Sequence, residues 1–296
     1  MNQVPEVPFS QLDTLWFQVA GTLCNLKCIH CFISCSPTND THGMLSLETV
    51  KRYLPEAEAL GVKEYYFTGG EPFLNRELLD ILQETIRFGP VTVLTNGLLL
   101  TERVIERLKQ IKEGSRYSLE LRVSLDGYTK AMNDRIRGRG TFRRIVQVLK
   151  QLTDHGFLPI VATTEVWTPD DLRRLKQGGG SEDKVYFRLK RLLQNHGIDR
   201  PRIKIIPLFR LGQAENHNGG ELWHVRPEDL NDFDLTTLQC TSGRMITSRG
   251  IYYCPLLISQ EEAKLGDRLK DTLKPTKLFH SACYTCYLTG FTCSNV

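Results

Sequence analysis

The chain has 296 residues, 41% of them hydrophobic and 24% charged, with a formal net charge of +4. This is ordinary for a soluble globular protein able to bury a proper core, as one large domain or two smaller ones. The charge is too mild and dispersed for a nucleic-acid partner. No N-terminal pattern marks a signal peptide, and no apolar run approaches the roughly 18 residues needed to span a bilayer, so a cytoplasmic protein off the membrane is expected.

Strand and helix patterns alternate from about residue 15 to residue 206. LWFQVA (15–20) predicts a first strand and SLETVKRYLPEAEALG (46–61) a helix, with Val50, Tyr53, Leu54, Ala57 and Leu60 on one face and Ser46 as its cap. Strands follow at 63–67, 91–94, 119–125, 158–166 and 202–206, and helices at 75–89, 101–111 and 140–156. A further helix starts at PDDLRRLKQ, breaks at Gly178–Gly180 and resumes over 182–195. Such alternation predicts βαβ units on a parallel sheet, either open and doubly wound or a partly closed barrel. In both cases a ligand sits beyond the carboxyl ends of the strands.

About 25 residues separate the first strand from the first helix, and long loops in compact domains tend to be functional. This one contains GTLCNLKCIHCF, which places Cys24, Cys28 and Cys31 within eight residues. The next three strands end in TGGEP (68–72), TNG (95–97) and SLDG (124–127), all on the same rim. Nine cysteines fall in two groups, Cys24, Cys28, Cys31 and Cys35 near the start and Cys240, Cys254, Cys283, Cys286 and Cys293 near the end. A disulfide framework suits small secreted chains, so close spacing here favours metal. Zinc or a [4Fe–4S] cube closes with four ligands, and three thiolates leave one metal position open for chemistry.

C-x3-C-x2-C after the first strand with GGEP after the second closely resembles the radical S-adenosylmethionine (radical SAM) superfamily over residues 15–206. The resemblance implies an α/β fold, a (βα)6 partial TIM barrel, with Cys24, Cys28 and Cys31 holding a [4Fe–4S] cluster. It implies that S-adenosylmethionine occupies the fourth iron and is cleaved to a 5′-deoxyadenosyl radical. Gly69 and Gly70 would let the backbone approach this ligand, and Glu71 would accept hydrogen bonds from its ammonium group. Ser124 matches a position contacting the ribose or carboxylate, and Arg135 one that pairs with the carboxylate. Asn96–Gly97 and Asp126–Gly127 read as turn pairs. His30 occupies a position where the family places an aromatic or apolar residue near the adenine. Cys35 reads as a spare thiol, since its ligation would close the open iron.

After residue 207 the alternation stops, and residues 207–296 are expected to form a small cysteine-rich domain beside the 1–206 barrel. Cys240 and Cys254 flank an expected hairpin with Gly250 near its turn, and Cys283 and Cys286 form a C-x2-C pair. This resembles the twitch and SPASM extensions of the same superfamily. Five cysteines allow one auxiliary iron–sulfur cluster, held by Cys240, Cys254, Cys283 and Cys286, with Cys293 left over or substituting for one of them. The expected function is a radical SAM oxidoreductase that abstracts a hydrogen atom from a peptide or small metabolite in a net oxidation or rearrangement, supplied with electrons by a flavodoxin or ferredoxin type reductant. The alternative is a non-catalytic scaffold with structural zinc in the C-terminal cysteines. The catalytic acid or base and the substrate are not legible.

Overall fold

The computed structural model describes residues 4–164, 182–215 and 222–295. Strands β2 (Thr14–Gln18), β3 (Glu64–Thr68), β4 (Val91–Thr95), β5 (Leu119–Ser124), β6 (Ile160–Thr164) and β7 (Arg202–Ile206) lie side by side in that order, every pair parallel. Helices α1 (Leu47–Ala59), α2 (Leu78–Thr85), α3 (Glu102–Glu113), α4 (Lys130–Arg137) and α5 (Thr141–Asp154) connect them, and a helix at Glu182–Asn195 precedes β7. This is the partial barrel expected from the sequence. The expected helix from residue 169 and its Gly178–Gly180 break lie outside the described residues.

Local chemistry sets the elements. Ser46 caps α1 by accepting from the Thr49 main-chain N–H at 3.1 Å, and Thr101 caps α3 by accepting from Val104 at 3.4 Å. Helix α4 has no counterpart in the sequence reading because its buried positions are Asn133, Ile136 and Arg137, which make no apolar stripe.

Side chains alternate across each strand and so divide the core in two. Leu15, Phe17, Tyr65, Phe67, Val91 and Val93 face the helices, with Phe17 stacked on Phe67 at 5.5 Å. Trp16, Tyr66 and Met245 face inward, with Trp16 stacked on Tyr66 at 4.3 Å. That inner face packs against the C-terminal segment through Tyr253, Leu256, Leu257 and Leu278.

The C-terminal segment is therefore built onto the barrel rather than standing beside it. β8 (Gly243–Thr247) pairs in parallel with β2, and β9 (Gly250–Tyr252) and β10 (Lys264–Gly266) continue the same nine-stranded sheet in antiparallel fashion. β8 and β9 form the hairpin expected between Cys240 and Cys254. β1 (Glu6–Val7) and β11 (Thr276–Lys277) make a separate two-stranded ribbon. Residues 293–295 enter the barrel interior. There the Cys293 carbonyl accepts from Arg122 at 2.7 Å and the Ser294 carbonyl accepts from Lys204. The Asn295 amide donates to Thr92 and Glu120, at 2.9 Å each.

Arg244 ties this segment together. It is wholly buried, and it donates to the carbonyls of Thr272 (2.9 Å), Cys240 (2.9 Å), Gly243 (2.6 Å) and Lys274 (3.2 Å). Its guanidinium also lies over Phe9 at 4.5 Å. Replacing Arg244 by Met is expected to cost about 3 kcal/mol, because buried carbonyls lose their donors. Urea unfolding measures this, and an unchanged midpoint would mean that water takes over those bonds.

Candidate functional site

The cysteine loop and the glycine motif are locked together through main-chain atoms. Gly70 N–H donates to the Gly21 carbonyl at 2.9 Å, and Glu71 N–H donates to the Leu23 carbonyl at 3.0 Å. A Cβ on Gly70 would stand 1.9 Å from the Leu23 oxygen and 2.9 Å from the Cys24 Cβ, so only glycine allows this approach. Gly69 adopts a φ of 135°, again a glycine conformation. The loop closes on itself through Cys24 N–H to the Ser36 carbonyl at 3.0 Å and Thr22 N–H to the His42 carbonyl at 3.1 Å.

Cys24, Cys28 and Cys31 open into one cavity, together with Gly69, Gly70 and Ser124. Each sulfur lies near N–H donors. Cys24 Sγ accepts from Leu26 N–H at 3.4 Å and lies 3.8 Å from Asn96 Nδ2. Cys28 Sγ lies 4.0 Å from Arg137 Nη1, and Cys31 Sγ accepts from Cys35 N–H at 3.2 Å. Burial pushes the thiols of Cys24 and Cys28 up to about 12 and about 11. Hydrogen bonding from the Cys35 thiol holds Cys31 down at about 6 against its burial, helped by the N–H groups of Cys35 and Ile33. Metal binding converts such thiols to thiolates, and the donors already in place favour that form.

Two expected residues are placed differently. Glu71 is fully buried and does not line the cavity. Its carboxylate accepts from Thr95 Oγ1 (2.7 Å), Asn96 N–H (2.8 Å) and Phe73 N–H (3.2 Å), so it braces the ends of β3 and β4 against each other. Burial pushes its carboxyl up to about 7 despite these donors. Arg135 is exposed. The arginine of α4 that lines the cavity is Arg137, two residues on. Residues two apart on a helix point roughly 200° away from each other, which decides between them.

Behind Arg137 sits a cluster that the sequence reading missed. Asp126, wholly buried, contacts His30 Nε2 at 2.7 Å and Arg137 Nε at 2.6 Å through one oxygen, and accepts from Thr164 N–H at 2.7 Å through the other. Its own N–H donates to Asn133 Oδ1 at 3.1 Å. Burial opposes its ionisation, but Arg137 and His30 outweigh it and hold the carboxyl well below the usual range. The signal in the sequence was an Asp before Gly at a strand end, which a turn explains equally well.

Cys240, Cys254, Cys283 and Cys286 are absent from the lining of the first cavity and lie in the inner core with Cys293. Cys283 and Cys286 sit on the helix Ser281–Thr289, three residues apart and so on one face. Burial raises all five thiols, Cys283 to about 12 and Cys293 to about 11. Cys293 also lines the first cavity, beside Arg122. Among the described residues, no three Cys, His, Asp or Glu side chains are drawn together closely enough for a single ion.

A parallel partial barrel with three cysteines on the loop after its first core strand defines a class of metal-dependent α/β protein. Residues 19–168 match the radical SAM superfamily, and the chain belongs to it. Members bind a [4Fe–4S] cluster and S-adenosylmethionine. The chain is 36% identical over 169 residues to the antilisterial bacteriocin subtilosin biosynthesis protein AlbA of Bacillus subtilis (strain 168), covering 55% of this chain and 36% of AlbA. The match thus spans about a third of that relative's length. Among solved structures, anSMEcpe with bound AdoMet has a similar fold, with a TM-score of 0.62 at 17% identity, covering 94% of this chain and 84% of the other. Streptococcus suis SuiB bound to precursor peptide SuiA gives a TM-score of 0.58 at 17% identity, covering 90% and 65%.

Two outcomes test the geometry. Gly70→Ala is expected to displace the cysteine loop, lowering both the iron content after anaerobic reconstitution and the unfolding midpoint; full iron loading would show that the contact is dispensable. Glu71 holds its proton longer in the folded than in the unfolded chain, so its contribution to stability falls as pH rises from about 4.5 to about 7. The destabilisation caused by Glu71→Gln should therefore shrink by about 3 kcal/mol across that window, measured by denaturation at several pH values. A pH-independent difference would place the carboxyl near its ordinary value.

Proposed function

We propose that this chain is a radical S-adenosylmethionine enzyme whose [4Fe–4S] cluster is held by Cys24, Cys28 and Cys31. The observation that carries the reading is the donor set: three thiols from one loop face one cavity, each beside an N–H group, and no fourth cysteine ligand is needed there. Cys35 lies against Cys31 as its hydrogen-bond partner. When bound, the cluster and S-adenosylmethionine supply a 5′-deoxyadenosyl radical that removes a hydrogen atom from the substrate, and a second cluster supplies an electron acceptor for a net oxidation.

The chain's own residues orient the cofactor. The backbone of Gly69 and Gly70 forms the wall that the amino group of S-adenosylmethionine would meet. Arg137 presents a fork suited to its carboxylate, with Ser124 on the same wall. Asp126 fixes the guanidinium and, through His30, the turn of the cysteine loop. Cys240, Cys254, Cys283 and Cys286 offer an all-thiolate set for the auxiliary iron–sulfur cluster. Structural zinc at the same thiols is the competing reading.

The substrate we assign is a peptide. The support is that AlbA is a bacteriocin biosynthesis protein and that SuiB has been captured with a precursor peptide. Electrons would come from a flavodoxin or ferredoxin type reductant. No helix among the described residues is long and apolar enough to cross a membrane.

The test compares reconstituted wild type with a Cys24/Cys28/Cys31→Ala variant. About eight irons in the wild type, about four in the variant, and 5′-deoxyadenosine formed with dithionite only by the wild type are expected. About four irons in the wild type and none in the variant would overturn the auxiliary cluster in favour of zinc. Equal deoxyadenosine from both proteins would overturn the ligand assignment.

A further inference from the structure

Below the rim of the same cavity lies a second polar feature that the cofactor reading does not use. Arg122 is on β5, two residues before Ser124, and so roughly 7 Å deeper in the barrel. It is 3% exposed and Trp16 beside it is 2% exposed. Its guanidinium lies 5.9 Å from the centre of the Trp16 ring. Both side chains line the cavity.

The buried hydrogen bonds here do not balance. Arg122 Nη1 donates to the Cys293 carbonyl at 2.7 Å, but Arg122 Nε has no partner, and neither has the Trp16 indole N–H. Glu120, on the same face of β5, is taken by Arg202 at 2.9 Å and by the Asn295 amide at 2.9 Å. Lys204 adds a second cation close by, its pKa lowered to about 8 by burial and by Arg122. An arginine cannot shed its proton, and the carboxylate that acts on this one, Glu120, is shared with Arg202 and Asn295. Water would satisfy the N–H groups but would bring no negative charge beside Arg122. An anion would satisfy both.

We infer that Arg122 and Trp16 form the binding point for a carboxylate on the substrate, an Asp or Glu side chain of the peptide, placed below the cofactor in the barrel. The inference rests on reading this cavity as the site of hydrogen-atom abstraction. The carboxylate accepts from Arg122 Nε and the Trp16 N–H, and its charge is met by the guanidinium. The site selects for the charged side chain because an amide in its place leaves the guanidinium unpaired. Arg122 and Trp16 are thus specificity-determining residues.

The test measures binding and not turnover. The reconstituted enzyme is saturated with S-adenosylmethionine, left unreduced, and titrated by calorimetry with N-acetylglutamate α-methylamide or its glutamine counterpart. The glutamate probe is expected to bind about tenfold more tightly to the wild type. The preference should fall to about twofold or less in Arg122→Gln, and by about threefold in Trp16→Phe, which removes the indole N–H and leaves a smaller aromatic ring. If Arg122→Gln does not fold, having lost its bond to the Cys293 carbonyl, Trp16→Phe carries the test alone. Equal binding of the two probes to the wild type overturns the inference, and so does a preference that survives both substitutions. A loss of S-adenosylmethionine affinity in Arg122→Gln as large as the loss for the probe also overturns it, since the guanidinium would then serve the cofactor. Absence of deoxyadenosine formation by the wild type would undo the proposed function instead, with the anion preference still measurable.

Discussion

The site depends on one close approach of two backbones. Gly70 lies so near the Leu23 carbonyl that no side chain fits between them, and the N–H groups of Gly70 and Glu71 are spent on the cysteine loop. A loop of this length would otherwise pay the entropy of many conformations before it could present three sulfurs to one point. The contact transfers the rigidity of β3 to the loop. Glu71 extends the brace to β4, since its buried carboxylate holds Thr95 and Asn96, and Asn96 in turn reaches the Asn25 side chain at 2.7 Å.

A second buried carboxylate performs the same service from the opposite side. Asp126, at the end of β5, gathers His30 from the cysteine loop and Arg137 from α4. Such a group is stable only when both oxygens are satisfied, and here they are. The cysteine loop is thus held from β3 by main-chain hydrogen bonds and from β5 by charge. Between the two supports the three sulfurs face the open cavity.

The tail completes the barrel. Strand β8 covers the β2 edge, and the apolar side chains that follow it meet the inward face of the sheet. Residues 293–295 occupy the interior through bonds to Arg122, Lys204, Tyr66 and Thr92. Cys293 therefore belongs by position both to the inner core that holds the other tail cysteines and to the cavity of the front cysteines. The C-terminal thiols and the cavity of the front cysteines thus meet at Cys293.

Much of the fold was legible because strand and helix periods are local properties of the chain. The six parallel strands of the barrel and most of its helices fall where the alternation of apolar residues puts them. That Cys24, Cys28 and Cys31 share one loop was legible for the same reason, since spacing along a loop is a local feature. The tertiary structure alone decided which side chains reach the site. Arg135 and Arg137 are equally basic in the sequence, and only the rotation of α4 turns one to water and the other to Asp126. Glu71 reads as a ligand-binding acid until its neighbours on β4 are known. Arg122 reads as an ordinary strand charge until the inward face of β5 is known. Burial and long-range pairing set the task of a charged residue, and neither is written in its immediate neighbours along the chain.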